Sequence, residues 1–117
     1  MLNQVVLVGR IARDPEVKEL ENGQKVSNIT LAVSRPYKNA DGVYETDFID
    51  CSLWNGIAVN TMEYCKKGDT VGIKGSLRTD NYEKDGKLIT KLNLMAEKVS
   101  FLASPHREDR VASAEAR

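Results

Sequence analysis

The segment TDFIDCSLWN, residues 46–55, decides the fold of this chain. Side chains of a β-strand alternate between its two sides. Three apolar residues share one side of this segment: Ile49, Cys51 and Leu53. The other side carries two aromatic residues with polar residues between them: Phe48, Asp50, Ser52 and Trp54. Because an aspartate is rarely buried without a partner, we predict that this second side faces water. Exposed aromatic rings on a sheet can stack against flat ligands, although aromatic residues in strands more often pack against neighbouring side chains.

The composition excludes several classes of protein. The chain has 117 residues, the length of one domain, and its 17 basic residues equal its 17 acidic residues in number. A net charge of zero argues against a protein that binds polyanions mainly by charge. No apolar run reaches the roughly 20 residues of a membrane span, and the N-terminus has no export signal. Cys51 and Cys65 are then most simply reduced and buried, so we expect a cytoplasmic protein that binds no membrane.

Five segments have the pattern of β-strands: 5–11, 26–34, 46–55, 70–82 and 88–102. The first is apolar on both sides, so it is either a central strand or covered by another subunit. A short strand at 17–20 is predicted to join the second through a hairpin at Asn22-Gly23. Gly75 predicts a bend or bulge, with Leu77 beyond it in the core. A shift in apolar parity predicts a bulge near residues 96–98.

One helix is predicted, over residues 56–67, with Asn55 as its cap and Gly68 after its basic last turn. A single short helix cannot form a layer on a sheet, so the fold is predicted to be mainly all-β. Five strands with a helix between the third and the fourth is the order of the five-stranded oligonucleotide/oligosaccharide-binding (OB) barrel, whose ligand face includes strands two and three. We expect this domain to span residues 1–102 and the tail, residues 103–117, to be disordered.

Aromatic and basic residues are interleaved along the chain. Four of the seven aromatic residues lie on a predicted water-facing side or loop: Tyr37, Phe48, Trp54 and Tyr82. Six basic residues are predicted to contact the same ligand: Arg10, Arg35, Lys38, Lys74, Arg78 and Lys87. Unpaired bases stack on aromatic rings while lysine and arginine meet phosphates, so the pattern predicts binding of a single nucleic-acid strand. The other aromatic residues are predicted to pack in a hairpin, on the helix and in the core: Tyr44, Tyr64 and Phe101.

Several short motifs, taken in order from Met1 to about Leu102, resemble the bacterial-type single-stranded DNA-binding proteins. They are NQVVLVGR at 3–10, DPE at 14–16, NG at 22–23, TLAV at 30–33, DFI at 47–49, KKG at 66–68, GSLRT at 75–79 and YE at 82–83. The resemblance implies an OB fold, usually a homotetramer in which the first strand pairs between subunits. It also implies that the protein wraps single-stranded DNA in replication, repair and recombination. The family's base-stacking aromatic residues fall on the four already selected: Tyr37, Phe48, Trp54 and Tyr82.

The chain departs from its relatives mainly by carrying less positive charge. The sequence KELE at 18–21 stands where relatives commonly have RYTP, and Asp80-Asn81 follows Arg78-Thr79 where many have an arginine. Asn55-Gly56 replaces a basic residue that often follows the Trp54 position. We therefore predict that binding relies on stacking and depends weakly on salt.

The end of the chain is the largest departure. Full-length cellular members typically end in an acidic tail whose last apolar-aromatic motif recruits repair and replication enzymes, whereas this chain ends in SAEAR at 113–117. Recruitment through such a tail is therefore not expected. A short paralogue linked to DNA uptake, a phage-encoded copy and a trimmed form of a longer protein would each fit.

Enzymatic activity is not predicted. His106, the only histidine, lies in the predicted tail, and the two cysteines have no further ligand for a metal site. Asp50 has no evident partner carboxylate, so the roles of a catalytic site are unfilled, and neither a metal nor a cofactor is expected. An OB module that binds RNA, or that serves as an interaction subunit such as a primosome accessory protein, stays open, because no residue tests for a 2′-hydroxyl.

Overall fold

Six strands and one helix form the part of the chain that this computed structural model describes, residues 1–105. In chain order they are β1 (Val5–Ile11), β2 (Lys18–Glu19), β3 (Lys25–Lys38), β4 (Tyr44–Trp54), α1 (Asn55–Tyr64), β5 (Thr70–Lys84) and β6 (Lys87–Ala103). The sheet order is β1-β5-β6-β4-β3-β2, and β1 also pairs with β3. The extra pairing closes five strands into a barrel and leaves the two-residue β2 at the edge. Counted without β2, the helix lies between the third and fourth strands, so the predicted OB barrel is confirmed.

The apolar side of β4 faces the inside of the barrel, as predicted. Cys51 and Leu53 are buried, and the half-buried Ile49 packs against them. The other strands add further buried side chains: Ile11, Ile29, Leu31, Val71, Ile73, Leu94 and Ala96. Burial of each large aliphatic side chain favours folding by about 1.5–3 kcal/mol. Cys51 and Cys65 are both buried, and burial raises the pKa of Cys51 to about 12.

The hairpin predicted at Asn22-Gly23 joins β2 to β3. Gly23 has a φ of 86°, in the left-handed region that glycine adopts without strain. The backbone N–H of Leu20 donates to the carbonyl of Gln24 at 2.7 Å, which closes the turn. Turn chemistry visible in the sequence therefore sets this hairpin.

Helix α1 is shorter than predicted, and no side chain caps its N-terminus. It ends at Tyr64, and Asn55 is its first residue, with a φ of 51°. The side-chain oxygen of Asn55 does not cap the helix but accepts a hydrogen bond from the backbone N–H of Lys25 at 3.0 Å. After the helix, the backbone N–H of Lys66 donates at 2.9 Å to the carboxylate of the fully buried Asp69. The basic segment therefore belongs to a turn held by Asp69, not to the last turn of the helix.

The predicted bulge lies in β6. The β5–β6 register shifts between Lys74 and Gly75, and Glu97 has no partner in the ladder. Gly75 is buried against the backbone of Met95, where a side chain would not fit. Leu77, predicted to lie in the core, is 37% exposed, whereas Leu94 opposite it is fully buried.

The last described residues continue β6 beyond the predicted domain end. Ala103 is the final residue of the strand, and the hydroxyl of Ser104 donates to the Asp69 carboxylate at 2.6 Å. Order therefore reaches into the segment predicted to be a disordered tail, and residues 106–117 of that segment lie outside the described residues. Within residues 1–105, the structure contains no helix long and apolar enough to cross a membrane.

Candidate nucleic-acid interface

The polar side of β4 lies on the outside of the barrel, where it continues across β3. In the β3–β4 ladder, Phe48 is opposite Ala32 and Asp50 is opposite Thr30. Residues directly opposite each other in a ladder project from the same face of the sheet. The Thr30 hydroxyl donates to Asp50 Oδ1 at 3.3 Å. The carboxylate that marked this side as polar is therefore hydrogen-bonded within the face.

Side-chain contacts carry the same face from β4 to β6. The side-chain N–H of Asn93 donates to Ser52 Oγ at 2.6 Å, and the Ser52 hydroxyl donates to Asn28 Oδ1 on β3 at 3.2 Å. One residue pair further along, Lys91 Nζ lies 3.1 Å from Asp50 Oδ2. A chain of polar contacts thus crosses three strands on one side of the sheet.

The β5–β6 ladder adds the fourth strand. Arg78 is opposite Asn93 and Asp80 is opposite Lys91. Tyr82 lies two residues beyond Asp80 and so projects from the same side. Strands β3, β4, β6 and β5 therefore present one continuous surface, here called the outer face, which carries Phe48, Trp54 and Tyr82 on its strands.

The three aromatic residues of the outer face differ in exposure. Phe48 is 67% exposed and Tyr82 is 45% exposed. Trp54 is half-buried opposite Val26, and its Nε1 is buried with no hydrogen-bond acceptor among the described residues. Phe48 and Tyr82 thus offer rings to solvent for stacking, whereas Trp54 also contributes to packing.

Two of the predicted basic residues flank this set. Arg10 is opposite Ala32 in the β1–β3 ladder, and Ala32 is in turn opposite Phe48. Arg10 and Phe48 line one groove of about 610 Å³ on either side of the small Ala32. At the other end, Lys87 is exposed at the tip of the β5–β6 hairpin, on the same side as Tyr82. A single nucleic-acid strand lying on the outer face would meet a cation at both margins.

The β3–β4 hairpin carries the next two predicted residues. Tyr37 is 63% exposed in the irregular stretch between Ser34 and Lys38. Lys38 is opposite Tyr44, and its Nζ lies 5.6 Å from the centre of the Tyr44 ring. Tyr44 has the same parity on β4 as Phe48, so this cation–aromatic pair lies on the outer face as well.

Arg35 faces the opposite way. Its Nε and Nη2 donate to the two carboxylate oxygens of Asp47 at 3.1 and 3.0 Å, and Nη1 donates to Glu45. The hydrogen bonds and charge of Asp47, with the charge of Glu45, raise the pKa of Arg35, and the bond from Arg35 lowers the pKa of Asp47. Because Asp47 alternates with Phe48, it projects from the other side of the strand. The placement of Arg35 therefore does not support its predicted contact with nucleic acid.

Lys74 is also separated from the aromatic residues. It is opposite Val6 of β1 and Lys98 of β6, at a level of the barrel away from the rows that contact β4. Val6 and Val8 beside it are exposed apolar side chains. The sequence predicts that Lys74 contacts the ligand, but the structure places it beside β1, away from the aromatic residues of the outer face.

We expect Arg35→Ala to change affinity for oligo-dT less than about twofold, whereas Arg78→Ala weakens it several-fold at low salt. Arg35 is neutralised by carboxylates and faces away, while Arg78 lies on the outer face. Anisotropy of a labelled oligonucleotide checks this, and equal losses in the two variants would contradict the assignment.

The lowered pKa of Asp47 means that the pair stabilises the fold at neutral pH. Arg35→Ala should therefore lower the Tm at pH 7, and this difference should shrink below the ordinary carboxyl pKa of 3.8.

Sequence reasoning missed several residues of the outer face. The apolar pattern of β6 does not single out Lys91 and Asn93, although they contact Asp50 and Ser52. The ladder partner of a residue depends on register, which the bulge in β6 changes. Tyr44 was predicted to pack, yet it is 55% exposed. The predictions for two other aromatic residues were wrong in the same direction, since both are exposed: Tyr64 and Phe101.

Comparison with known proteins gives a match over nearly the whole described chain. The model of the "Single-strand binding protein family" matches residues 2–102. A protein of Halalkalibacterium halodurans named "Single-stranded DNA-binding protein" is 47% identical over 103 residues, 87% of this chain and 61% of that protein. A protein of the same name from Oceanobacillus iheyensis is 46% identical over 103 residues, 87% of this chain and 64% of that protein.

A third relative is similar over almost its full length. "Single-stranded DNA-binding protein B" of Bacillus subtilis is 41% identical over 109 residues, 92% of this chain and 96% of that protein. The chain thus spans somewhat less than two thirds of the first two relatives and nearly all of the third. With a closed five-stranded barrel, a polar outer face that carries exposed aromatic residues, and a family match over residues 2–102, this chain belongs to the single-strand binding protein family.

Proposed function

We propose that this protein binds single-stranded DNA without sequence preference, by stacking bases on the aromatic residues of the outer face. The observation that carries the proposal is the placement of Phe48, Trp54 and Tyr82 on one side of a continuous four-stranded surface that also holds Arg78. Residues far apart in sequence meet there, which packing of the core does not require. Family membership and the names of the relatives support the same reading.

Stacking explains why the ligand should be single-stranded. Each base stacked on an aromatic ring is worth about 1–3 kcal/mol, and every base has a face that can stack. A duplex hides those faces between base pairs. The exposed rings of Phe48 and Tyr82 have neighbours that carry hydrogen-bonding or charged groups, which suit the edges and phosphates of a strand. Tyr37, Lys38, Arg10 and Lys87 would extend these contacts at the margins.

Fluorescence of Trp54, the only tryptophan, tests the proposal. The protein is titrated with oligo-dT, with RNA of matching sequence and with a duplex of matching length. We expect strong quenching by oligo-dT and none by the duplex. Quenching by RNA to an equal extent would favour the RNA-binding module, and unchanged emission with all three would contradict nucleic-acid binding by this face.

The electrostatics of the outer face predict a weak salt dependence. Four predicted cations lie on the face or at its margins (Arg10, Lys38, Arg78 and Lys87), while Lys91 is held by Asp50. Each phosphate contact on a single strand contributes about −0.7 to the slope of log affinity against log salt. With an oligonucleotide that occupies one protomer, we expect a slope no steeper than about −3, four times that value.

The variant Asp50→Asn gives the matched test of that electrostatic account. It releases Lys91 toward a phosphate, so we expect the slope to steepen by about 0.7 and the affinity at low salt to rise. Titrations at four or more salt concentrations measure both slopes. A slope near −6 for the unchanged protein would show that phosphate contacts dominate binding. An identical slope in Asp50→Asn would show that Asp50 does not keep Lys91 from a phosphate.

The outer side of β1 suits self-association. Val6 and Val8 are exposed apolar residues on a strand whose inner side packs in the barrel. We infer that a second copy of the chain covers Val6 and Val8, as part of the homotetramer that the family resemblance implies. Light scattering of the free protein tests this oligomeric state.

We place the protein in the cytoplasm with the nucleoid, where it would protect single strands during replication, repair, recombination or DNA uptake.

A further inference from the structure

The β3–β4 hairpin is held by ion pairs and hydrogen bonds on one side and carries an exposed aromatic residue on the other. On the first side, Arg35 is held by Asp47 and Glu45. In the turn, Asn39 Oδ1 accepts hydrogen bonds from the backbone N–H groups of Asp41 and Val43 at 2.9 and 3.0 Å. The Asn39 side-chain N–H donates to Glu45 at 3.3 Å. Ion pairs and turn contacts thus fix the hairpin beyond the barrel.

The other side of this hairpin belongs to the outer face. Tyr44 stands four residues before Phe48 on β4, a separation of about 13 Å at the rise of an extended strand. Its side chain is 55% exposed, comparable with Phe48 and Tyr82. Lys38, the residue opposite it, places its Nζ 5.6 Å from the centre of the ring. The Tyr44 ring and the Lys38 ammonium are therefore close together on the outer face, on the hairpin side of Phe48.

We propose that Tyr44 is an additional base-stacking residue, at which an arriving base takes the place of the Lys38 ammonium over the ring and Lys38 turns to the adjoining phosphate. The inference rests on the proposed function, since it lengthens the path of the strand on the same face. Tyr44 would then extend the stacking surface onto the hairpin, beyond Phe48.

The exchange is favourable for physical reasons. An exposed ammonium over a tyrosine ring is among the weaker aromatic contacts, and it is screened by salt. Stacking of a base covers the ring with a flat surface and removes apolar area from water. The displaced ammonium gains a phosphate at the same position, so its charge is not left unpaired. Because ion pairs and turn hydrogen bonds already hold the backbone of the hairpin, binding there has less of it to order.

A tryptophan introduced at this position reports on the contact directly. The double variant Tyr44→Trp, Trp54→Phe has its single tryptophan on the hairpin. Binding is followed independently by the anisotropy of a labelled oligo-dT. We expect the tryptophan emission to be quenched over the same concentration range in which the anisotropy rises. Full binding with unchanged emission would overturn the assignment of Tyr44 and leave the proposed function intact, whereas no binding by the unaltered protein would overturn the proposed function itself.

Affinity provides the second readout. With an oligonucleotide long enough to reach the hairpin, Tyr44→Ala should weaken binding at least about fivefold, the loss expected for one stacked base. Tyr44→Phe keeps the ring and should remain within about twofold of the unchanged protein. The control is Tyr64→Ala on α1, which removes a similarly exposed tyrosine, 67% exposed, from a different element. Equal affinities of Tyr44→Ala and Tyr64→Ala would contradict the proposal.

Discussion

Removing two exposed rings of the outer face, in the double variant Phe48→Ala, Tyr82→Ala, should weaken binding of oligo-dT by at least about 30-fold. Two stacked bases are lost, each worth about 1–3 kcal/mol, and every 1.4 kcal/mol is a factor of ten. Both side chains are exposed, so the substitutions should cost little stability. Trp54, which is half-buried, is left in place and its fluorescence still reports binding. Anisotropy of a labelled oligonucleotide provides the affinity.

The matched control is again Tyr64→Ala, on the helix and outside the outer face. We expect its affinity to stay within about twofold of that of the unchanged protein. Thermal unfolding of both variants separates binding from folding. If the double variant binds within threefold of normal while remaining folded, bases do not stack on Phe48 and Tyr82, and the proposed path of the strand is wrong.

Substituting alanine for Gly75 should destabilise the fold by about 3 kcal/mol, the upper part of the range for overpacked sites. A Cβ at this position would overlap the carbonyl oxygen of Met95 and approach the Met95 carbonyl carbon to 2.9 Å. These are backbone atoms of the neighbouring strand, so no side-chain rotation relieves the overlap. The bulge at Glu97, which brings the two strands together here, would have to open. For a domain of this size the expected loss in Tm is roughly 10–20 °C.

Gly56→Ala is the same chemical change with the opposite expectation. Gly56 lies in the first turn of α1, and a Cβ there would meet nothing within 4 Å. Alanine is favoured over glycine in a helix by up to about 1 kcal/mol. The Tm should therefore stay level or rise, measured at equal protein concentration because self-association shifts apparent stability. A Gly75→Ala variant as stable as Gly56→Ala would contradict the tight contact between β5 and β6.

Much of this architecture could be predicted because local patterns and tertiary contacts agree. The alternation in β4 separates Cys51 and Leu53, which are buried, from Phe48, which is exposed. The parity change in β6 marks the bulge, since an extra residue moves all later side chains to the other face. In both strands the side chains that must be buried are apolar, and in β6 the break in their alternation marks the position of the bulge.

The parts that could not be predicted depend on side-chain pairings that the pattern of a single strand or helix does not contain. Arg35 was assigned to the ligand because it precedes Tyr37, but its orientation is set by Asp47 across the hairpin. The end of α1 was placed too late because a run of basic residues before a glycine is typical of a helix end. In the structure, that run forms a turn because the buried carboxylate of Asp69 accepts its backbone N–H. A single sequence contains these residues but not their pairing.

The polar groups between the aromatic residues explain how a chain of zero net charge would bind single-stranded DNA as proposed. Asp50 forms an ion pair with Lys91 and accepts a hydrogen bond from Thr30. Ser52 is hydrogen-bonded to both Asn28 and Asn93. These contacts satisfy one another within the sheet, so the centre of the face adds little net charge. Binding energy is then expected from the rings, with phosphate contacts at the margins.

Photo-crosslinking of an oligo-dT that carries 5-iodouracil, followed by mass spectrometry of the linked peptides, tests most directly whether bases stack on the outer face. We predict cross-links to Phe48, Trp54 and Tyr82, with none to Tyr64. Cross-links confined to Tyr64 or Phe101, with the outer-face residues unlabelled, would contradict the account.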